Sequence, residues 1–465
     1  MKIQMRKSNS LTVNERRVLF GIFLSLCLLP YPPFELERVS AIEKTNRTGT
    51  EANKFLEALA NSNMKELNRQ IDASIKSQLP ASKLILLWHQ LVQVKGKVQK
   101  RFNPRVETIG PYQIAYIPVQ FQKELLDLKI SYTPQGKVSG FFVAPHKKGY
   151  ELAPYAQSSA FTETSIKFGL DDWKLTGKLC LPGGTGPFPA VVLVHGSGPH
   201  DMDETVGSNK PFLDLAHGLA SKGVAVLRYN KRTSEHKMNS EQIANLTIKE
   251  ESLDDAIEAV KFLRGKKSIN PEKIFILGHS LGGMLVPRME KADNQVTGFI
   301  SLTGSSIPME EKIIDQFEYL ASLGDEKAKT QLPLIREQAS KIKNCTGSDS
   351  SGPDQEIILG ASMAYWKDLK KHDPIIELKE MKKPVLFLQG ERDYQVTANG
   401  DFARWKKAVA NIPDAEKQFQ FKLYPGLNHL FIEGSGKPNP QEYFNQTGHV
   451  EKTVIEDIAN WIKQH

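Results

Sequence analysis

Residues 273–284 read Lys-Ile-Phe-Ile-Leu-Gly-His-Ser-Leu-Gly-Gly-Met. The apolar run from Ile274 to Leu277 stops at Gly278, and residues with helical spacing follow. That spells a strand, a tight turn and a helix. The turn, Gly278-His279-Ser280-Leu281-Gly282, fits the pattern G-x-S-x-G, in which a serine sits at the apex of a strained strand-to-helix turn. Glycines two residues before and after the serine keep side chains from colliding with the strand and the helix. The turn lifts the Ser280 hydroxyl off the end of the sheet, where the following helix N-terminus favours negative charge. Taken alone, the pentapeptide also fits a Gly-rich loop with a capping serine. Its meaning rests on what surrounds it.

Upstream, Ala190 to Val194 (A-V-V-L-V) is apolar at every position, as expected of a strand buried on both faces of a parallel sheet. Helical spacing from Phe212 to Ala220 leads to a second buried strand, Val224 to Leu227, and a helix from Ile248 to Leu263 leads into the serine strand. Downstream comes a strand at Thr297 to Leu302. The rhythm resumes with Pro384 to Leu388, a helix near Asp401 to Val409, a strand at Phe419 to Leu423 and a helix at Lys452 to Lys463. The expected fold class is α/β, a doubly wound, mostly parallel sheet. A hairpin-like pair, Phe161 to Phe168 and Trp173 to Leu181, opens this domain, which covers residues 155–465.

The rhythm breaks between Pro308 and Lys383, a stretch too long for an ordinary crossover. Helical segments at Glu310 to Leu323, Leu334 to Ile342 and Ile357 to Leu369 flank a polar loop at Thr346 to Pro353. An insertion here, above the strand ends, is expected to form a helical cap over residues 308–383. A passive crossover is the plainer alternative.

Ahead of a Pro- and Gly-marked linker (Ala144 to Pro154), residues 45–145 read as a small α+β domain. Helical spacing at Thr50 to Leu79 and Lys83 to Val94 is followed by period-two strands at 106–109, 113–121, 125–132 and 138–143. No chemistry is evident there. His89 reads as a core histidine on an apolar helix face, and His146 as linker.

The chain has 465 residues, 40% hydrophobic and 25% charged, which is ordinary globular composition. Its first 41 residues hold six basic and three acidic residues, so the remainder carries +5 of the +8 net charge. Those charges are scattered through helices without interleaved aromatics, which argues against nucleic-acid binding. Lys2, Arg6, Lys7, Arg16 and Arg17 precede the apolar run Val18 to Leu29, too short for a comfortable membrane span and long enough for a signal-peptide core. Residues 1–41 are therefore expected to direct export to the periplasm or outside, with cleavage after Ala41. An uncleaved anchor is the alternative and would be the only membrane contact. Leu26 before Cys27 is too large for a lipoprotein signal. Of the other cysteines, Cys180 and Cys345 read either as an exported protein's disulfide or as two buried thiols.

Serine-based acyl transfer needs a nucleophile, a base and an acid that orients the base. Ser280 is followed by Asp393 in Gly390-Glu391-Arg392-Asp393, after the 384–388 strand. His429 comes next, in Gly426-Leu427-Asn428-His429, after the 419–423 strand. Both loops fall at C-terminal strand ends, where open α/β sheets bind ligands. Glu391 shares the acid loop, but the Gly-x-x-Asp spacing favours Asp393. His449 follows no strand. His279 is expected to point into the fold and support the turn, and His372 lies in the expected cap. Two backbone N–H groups should receive the oxyanion. They are Leu281, just after the nucleophile, and Ser197 in His195-Gly196-Ser197-Gly198-Pro199, with Gly198 as the alternative and His195 structural.

Together these motifs resemble the α/β-hydrolase superfamily, in particular bacterial carboxylesterases of the dienelactone-hydrolase-like type. The residues that carry the likeness are His195 to Pro199 with Asp201-Met202-Asp203-Glu204, Gly278 to Gly283, Leu388-Gln389-Gly390-Glu391-Arg392-Asp393-Tyr394-Gln395-Val396, and Gly426 to His429. The front domain and the Q-G-E-R-D-Y-Q-V stretch look like a thermophilic bacterial esterase group. The resemblance implies hydrolysis of short- to medium-chain esters, a small-molecule substrate, and no metal or cofactor. Arg228-Tyr229-Asn230-Lys231-Arg232-Thr233 departs from relatives that carry Asp for Asn230 and Gly for Thr233, which bears on local loop shape. A serine peptidase or acyl thioesterase using the same triad is the alternative, and a non-catalytic binding protein a more distant one. Peptidases of this kind carry a propeller in front, and the front region here has no blade repeat.

Overall fold

The computed structural model describes residues 36–109, 112–146, 150–345 and 356–465. The N-terminal apolar run and the Thr346 to Pro353 loop lie outside the described residues. The chain divides into two compact units, with the boundary between Gly149 and Tyr150.

The first unit packs helices α1 (Leu36–Ala60), α2 (Met64–Gln70) and α3 (Ala81–Lys95) on an antiparallel sheet. The sheet holds β1 (Val98–Arg101), β2 (Arg105–Ile109), β3 (Tyr112–Phe121), β4 (Leu125–Tyr132) and β5 (Val138–Pro145). Strands β1 and β2 share one edge of β3, and β4 and β5 follow on its other side. Alternate residues Ala115, Ile117, Val119 and Phe121 of β3 meet Phe55, Leu56, Leu59, Leu84 and Trp88 in a single core. The helical pattern read from Thr50 to Leu79 is broken at Ser62, which has φ 51°, and Asn63 caps the helix that follows. His89 is exposed on α3, with its Nε2 3.2 Å from Ser62 Oγ. The expected core histidine is thus a surface one, because Ala81, Leu84 and Trp88 supply the buried face of that helix. Strand β1 escaped the reading because Val-Gln-Lys-Arg has one apolar residue.

The second unit is built on eight strands: β6 (Phe161–Phe168), β7 (Leu175–Pro182), β8 (Phe188–Val194), β9 (Ala225–Tyr229), β10 (Ile269–His279), β11 (Gly298–Leu302), β14 (Val385–Gly390) and β15 (Phe419–Tyr424); two-residue strands β12 (Ile357–Ile358) and β13 (Ala361–Ser362) form a separate ribbon. Their order is β15-β14-β11-β10-β8-β9-β7-β6. The six from β15 to β9 are mutually parallel, and β7 runs antiparallel to both β9 and β6. The chain leaves β8 for β9 on one side and returns to β10 on the other. This reversal places the ends of β8 and β10 at the topological switch point.

The unbroken apolar runs have the predicted cause. On β8, Ala190, Val192 and Val194 face one core while Val191 and Leu193 face the other. One face of the sheet is covered by α4 (Pro211–Ala220) and the C-terminal helix Lys452–Gln464. The other is covered by α5 (Asp255–Arg264), the helix after the serine, and the insertion. Between β11 and β14 the insertion carries helices Met309–Ser322, Glu326–Asn344, Met363–Lys370 and Pro374–Leu378. The second of these runs through Pro333, starting where Asp325 accepts from the N–H groups of Lys327 and Ala328. Residues 357–362, read as part of a helix, instead form the β12–β13 ribbon, turned by Leu359 and Gly360 at φ 42° and 79°. Cys180 and Cys345 are not bridged to each other.

Candidate functional site

Strand β10 ends at His279, and a four-residue helix, Leu281–Met284, begins one residue later. Ser280 between them has φ 53° and ψ −113°, a strained conformation for a residue with a side chain. Close packing explains the flanking glycines. A Cβ on Gly278 would run into the Gly282 carbonyl, and one on Gly282 would lie 2.5 Å from the Val194 oxygen. The Leu281 N–H, in the first turn of this helix, has no partner within the helix and lies at its positive end.

Asp393 and His429 meet at the ends of β14 and β15. His429 Nδ1 is 2.7 Å from Asp393 Oδ2, and both side chains are almost fully buried. Asp393 Oδ1 accepts from the Gln395 and Val396 N–H groups at 2.8 and 3.0 Å, and the Thr303 hydroxyl donates to Oδ2. Burial opposes the charged carboxylate, but His429, Thr303 and the Val396 N–H outweigh it and hold Asp393 below the usual range. Asn428 Oδ1 accepts from the Leu430 and Ile432 N–H groups at 2.9 and 3.3 Å, which folds the loop carrying the histidine. With Nδ1 occupied, Nε2 is the nitrogen of His429 that can serve a nucleophile.

His279 joins the serine turn to the histidine loop. Its Nε2 is 3.0 Å from the His429 carbonyl oxygen, and the two rings lie 4.8 Å apart. Its Nδ1 is 3.0 Å from Glu204 Oε2. Both neighbours are acceptors, which favours a proton on each ring nitrogen, although Nδ1 and Oε2 approach at ion-pair distance without hydrogen-bond alignment. Burial opposes this imidazolium, but the Glu204 carboxylate and the His429 carbonyl hold the ring above its ordinary pKa. Burial would raise Glu204, yet the imidazole beside it keeps that carboxyl well below its usual range. The other oxygen of Glu204 accepts from the Gly196 N–H at 2.8 Å. Gly196 lies against Ser280, since a Cβ there would come within 3.1 Å of Ser280 Cβ. Ser197, next in the chain, is exposed, and its carbonyl is 2.8 Å from His200 Nε2.

Residues 186–434 match the family described as "Serine aminopeptidase, S33". The chain belongs to this α/β-hydrolase family. Residues 52–141 of the hydrolase match a second family, described only as a protein of unknown function. Esterase EstD of Thermotoga maritima is 36% identical over 413 residues, covering 89% of this chain and 94% of the relative. Solved structures to which the chain is similar include Est1E from Butyrivibrio proteoclasticus, at 16% identity and a TM-score of 0.41 over 64% of this chain and 98% of that one. The Pyrococcus furiosus esterase PF2001 gives 14% identity and a TM-score of 0.42 over 69% and 96%.

The hydrolase gives its other candidate residues different tasks. Glu391 is exposed, and its N–H donates to the Tyr424 carbonyl. His449 pairs with buried Asp214 at 3.0 Å, and His372 with Glu377 at 2.7 Å. The His195 Nε2–H donates to the Asp201 carbonyl at 3.0 Å, and burial pushes its pKa down to about 3, which suits a structural ring. His146 pairs with Asp127 at 2.7 Å in the first unit. Glu163, Cys180 and His217 bring their ligand-type atoms within 4.8 Å of one another. Arg228 already pairs with Glu163 at 2.7 Å, and burial pushes the Cys180 thiol up to about 12, so this trio suits an ion-pair cluster better than a metal. Thr303, Glu204 and Lys231 were not singled out in the sequence. The nearest signal was Glu204 in the Asp201 to Glu204 stretch.

Asn230 and Thr233, the two departures from the family pattern, are accommodated by side-chain bonds. Asn230 Oδ1 accepts from the Met202 N–H at 2.8 Å while Nδ2 donates to Glu235 at 2.7 Å, a donation an aspartate could not make. Thr233 does not adopt positive φ, and its hydroxyl donates to Glu251 at 3.2 Å.

Proposed function

We propose that the chain is a serine carboxylic-ester hydrolase that works through an acyl-enzyme on short- to medium-chain esters. The observation that carries this reading is the buried 2.7 Å pair of His429 Nδ1 and Asp393 Oδ2, beside a serine turn tied to the same loop by His279. In this mechanism Ser280 Oγ attacks the ester carbonyl carbon as His429 Nε2 takes its proton. The oxyanion receives the Leu281 and Ser197 N–H groups, and Asp393 stabilises the imidazolium. The intermediate collapses with cleavage of the acyl C–O bond, and His429 returns the proton to the departing alcohol. Water then attacks the acyl-Ser280 ester by the same route and releases the acid. The relationship to an esterase along most of its length supports ester substrates. The family description keeps peptides as the second reading.

The test is hydrolysis of p-nitrophenyl esters from acetate to long chains, with an alkyl fluorophosphonate as an active-site label. Short esters should turn over, and peptide mapping should find the label on Ser280. A label on another residue sinks the serine assignment. Turnover of aminoacyl anilides in place of esters moves the activity to peptides.

We read residues 308–383 as a cap that shapes the acyl site. The first insertion helix reaches both catalytic loops: Gln316 donates to the Gln395 carbonyl at 3.0 Å, and the Tyr319 hydroxyl to the Pro438 carbonyl at 2.8 Å. Tyr319 also stacks on Tyr394, next to Asp393, at 5.3 Å. Tyr319→Ala should shift the ratio of kcat/KM for octanoate over acetate by about fivefold, roughly the worth of one lost apolar contact. An unchanged ratio would leave the insertion without a part in selectivity. Export belongs to the same proposal, supported by the basic and apolar order of residues 2–29.

A further inference from the structure

We propose that Lys231 is a positioning residue for the oxyanion hole, and that Glu251, itself held by Tyr365 of the insertion, keeps it in place. The inference rests on the reading above, in which the Ser197 N–H receives the oxyanion. Lys231 follows β9 and is 2% exposed. Its Nζ donates to the Gly196 carbonyl oxygen at 2.8 Å. That carbonyl belongs to the same peptide group as the Ser197 N–H. In a trans peptide the two bonds point in opposite directions within one plane. A cation fixed on the Gly196 oxygen therefore fixes the direction of the Ser197 N–H, away from Lys231.

The constraint matters because glycine is the residue whose flanking peptides rotate most freely. Gly196 has to be glycine to lie against Ser280, so the donor peptide has no side chain of its own to hold it. Neighbours supply what is missing. Glu204 takes the N–H on one side of Gly196 and Lys231 takes the C=O on the other. The Lys231 main chain adds a brace. Its N–H donates to the His200 carbonyl at 3.0 Å, and the His200 ring binds the Ser197 carbonyl. A charge on the carbonyl side also polarises the peptide and strengthens the N–H as a donor.

Lys231 is held in turn. Its Nζ lies 3.2 Å from Glu251 Oε2, and Glu251 is itself buried. The Tyr365 hydroxyl donates to the same Oε2 at 2.9 Å. Tyr365 stands on the insertion helix Met363–Lys370, which Asp368 also fastens to Arg288 at 3.0 Å. A continuous chain of polar contacts thus runs from the insertion to the donor peptide, and seating of the insertion sets the competence of the oxyanion hole.

The experiment uses the full chain with Lys231→Met, Glu251→Gln and Tyr365→Phe. It measures kcat per phosphonate-titrated site and KM on p-nitrophenyl butyrate. It also measures inhibition by an alkyl trifluoromethyl ketone, whose hemiketal oxyanion must occupy the hole. Lys231→Met should lower kcat per titrated site by about 10²-fold, the scale of one lost oxyanion donor, with KM within about threefold. Ketone affinity should fall by a similar factor. Tyr365→Phe should show the same pattern at about three- to tenfold, and combined with Lys231→Met it should add nothing. A residue that only supports the fold would lower the number of titrated sites and leave kcat per site and ketone affinity unchanged. That result for Lys231→Met overturns the inference. Should Lys231→Met fail to fold, the same unchanged result for both Glu251→Gln and Tyr365→Phe overturns it. Ester turnover retained by Ser280→Ala would sink the underlying serine reading instead, whatever the Lys231 variants do.

Discussion

Ser280→Ala and His429→Ala should each lower kcat on p-nitrophenyl butyrate by about 10⁴- to 10⁶-fold, and the double variant should lose no more than either alone. The reason is that each group is useless without the other. A serine hydroxyl near neutral pH needs a base, and the imidazole has nothing to deprotonate once Oγ is gone. Asp393→Asn should cost about 10⁴-fold by a different route. The Gln395 and Val396 N–H groups both donate to Asp393 Oδ1 and would pin the amide oxygen of an asparagine there. The amide NH₂ would then face His429 Nδ1, which would have to accept. The ring would carry its proton on Nε2, the nitrogen that must be unprotonated to act as base. Loss of less than about tenfold in His429→Ala would remove it from the mechanism. Additive losses in the double variant would mean that the two residues act separately.

The candidate site was legible where residue type and strand position coincide. A glycine-flanked serine, an Asp and a His each sit at the end of an apolar run. Those runs could be read because a strand buried on both faces carries no alternation to disguise it, as Ala190 to Val194 and Val385 to Leu388 illustrate. The residues that hold these groups were hidden for the opposite reason. Glu204, Thr303 and Lys231 are ordinary surface types in composition, and each acquires its task from a partner 75, 90 or 35 positions away: His279, Asp393 and Gly196. No local pattern encodes such a pairing. The insertion was located by the break in rhythm, but its elements were blurred because propensity and tertiary context disagree there. Pro333 argues for a helix start that packing overrides, and two isoleucines at 357–358 pair as a strand instead of joining a helix.

Glu204→Gln should destabilise the hydrolase unit by about 3 kcal/mol near pH 6, and by progressively less as pH climbs through the folded value of His279. The wild-type pair has a sign that can be worked out. His279 is raised above its unfolded value near 6.5, so its contribution is fully present below that pH and is lost as pH climbs through the folded value. Glu204 is depressed below its unfolded value of 4.5, so its contribution is present above that pH and is lost on acidification. The pair therefore stabilises most between these two limits. Glutamine keeps a carbonyl oxygen for the Gly196 N–H and turns its NH₂ toward His279 Nδ1, so the ring has to give up that proton and accept there, and the buried ion pair is lost. Above the folded value of His279 the wild type loses the imidazolium as well, so the two proteins converge. Urea unfolding by tryptophan fluorescence suits the test, because four of the five tryptophans (Trp173, Trp366, Trp405 and Trp461) lie in this unit. A loss that stays equal throughout the alkaline titration would show that Glu204 acts by packing alone. The same substitution frees the ring that holds the His429 carbonyl, so kcat should fall with the stability, and most steeply toward the acid side, where the wild type keeps its pair intact.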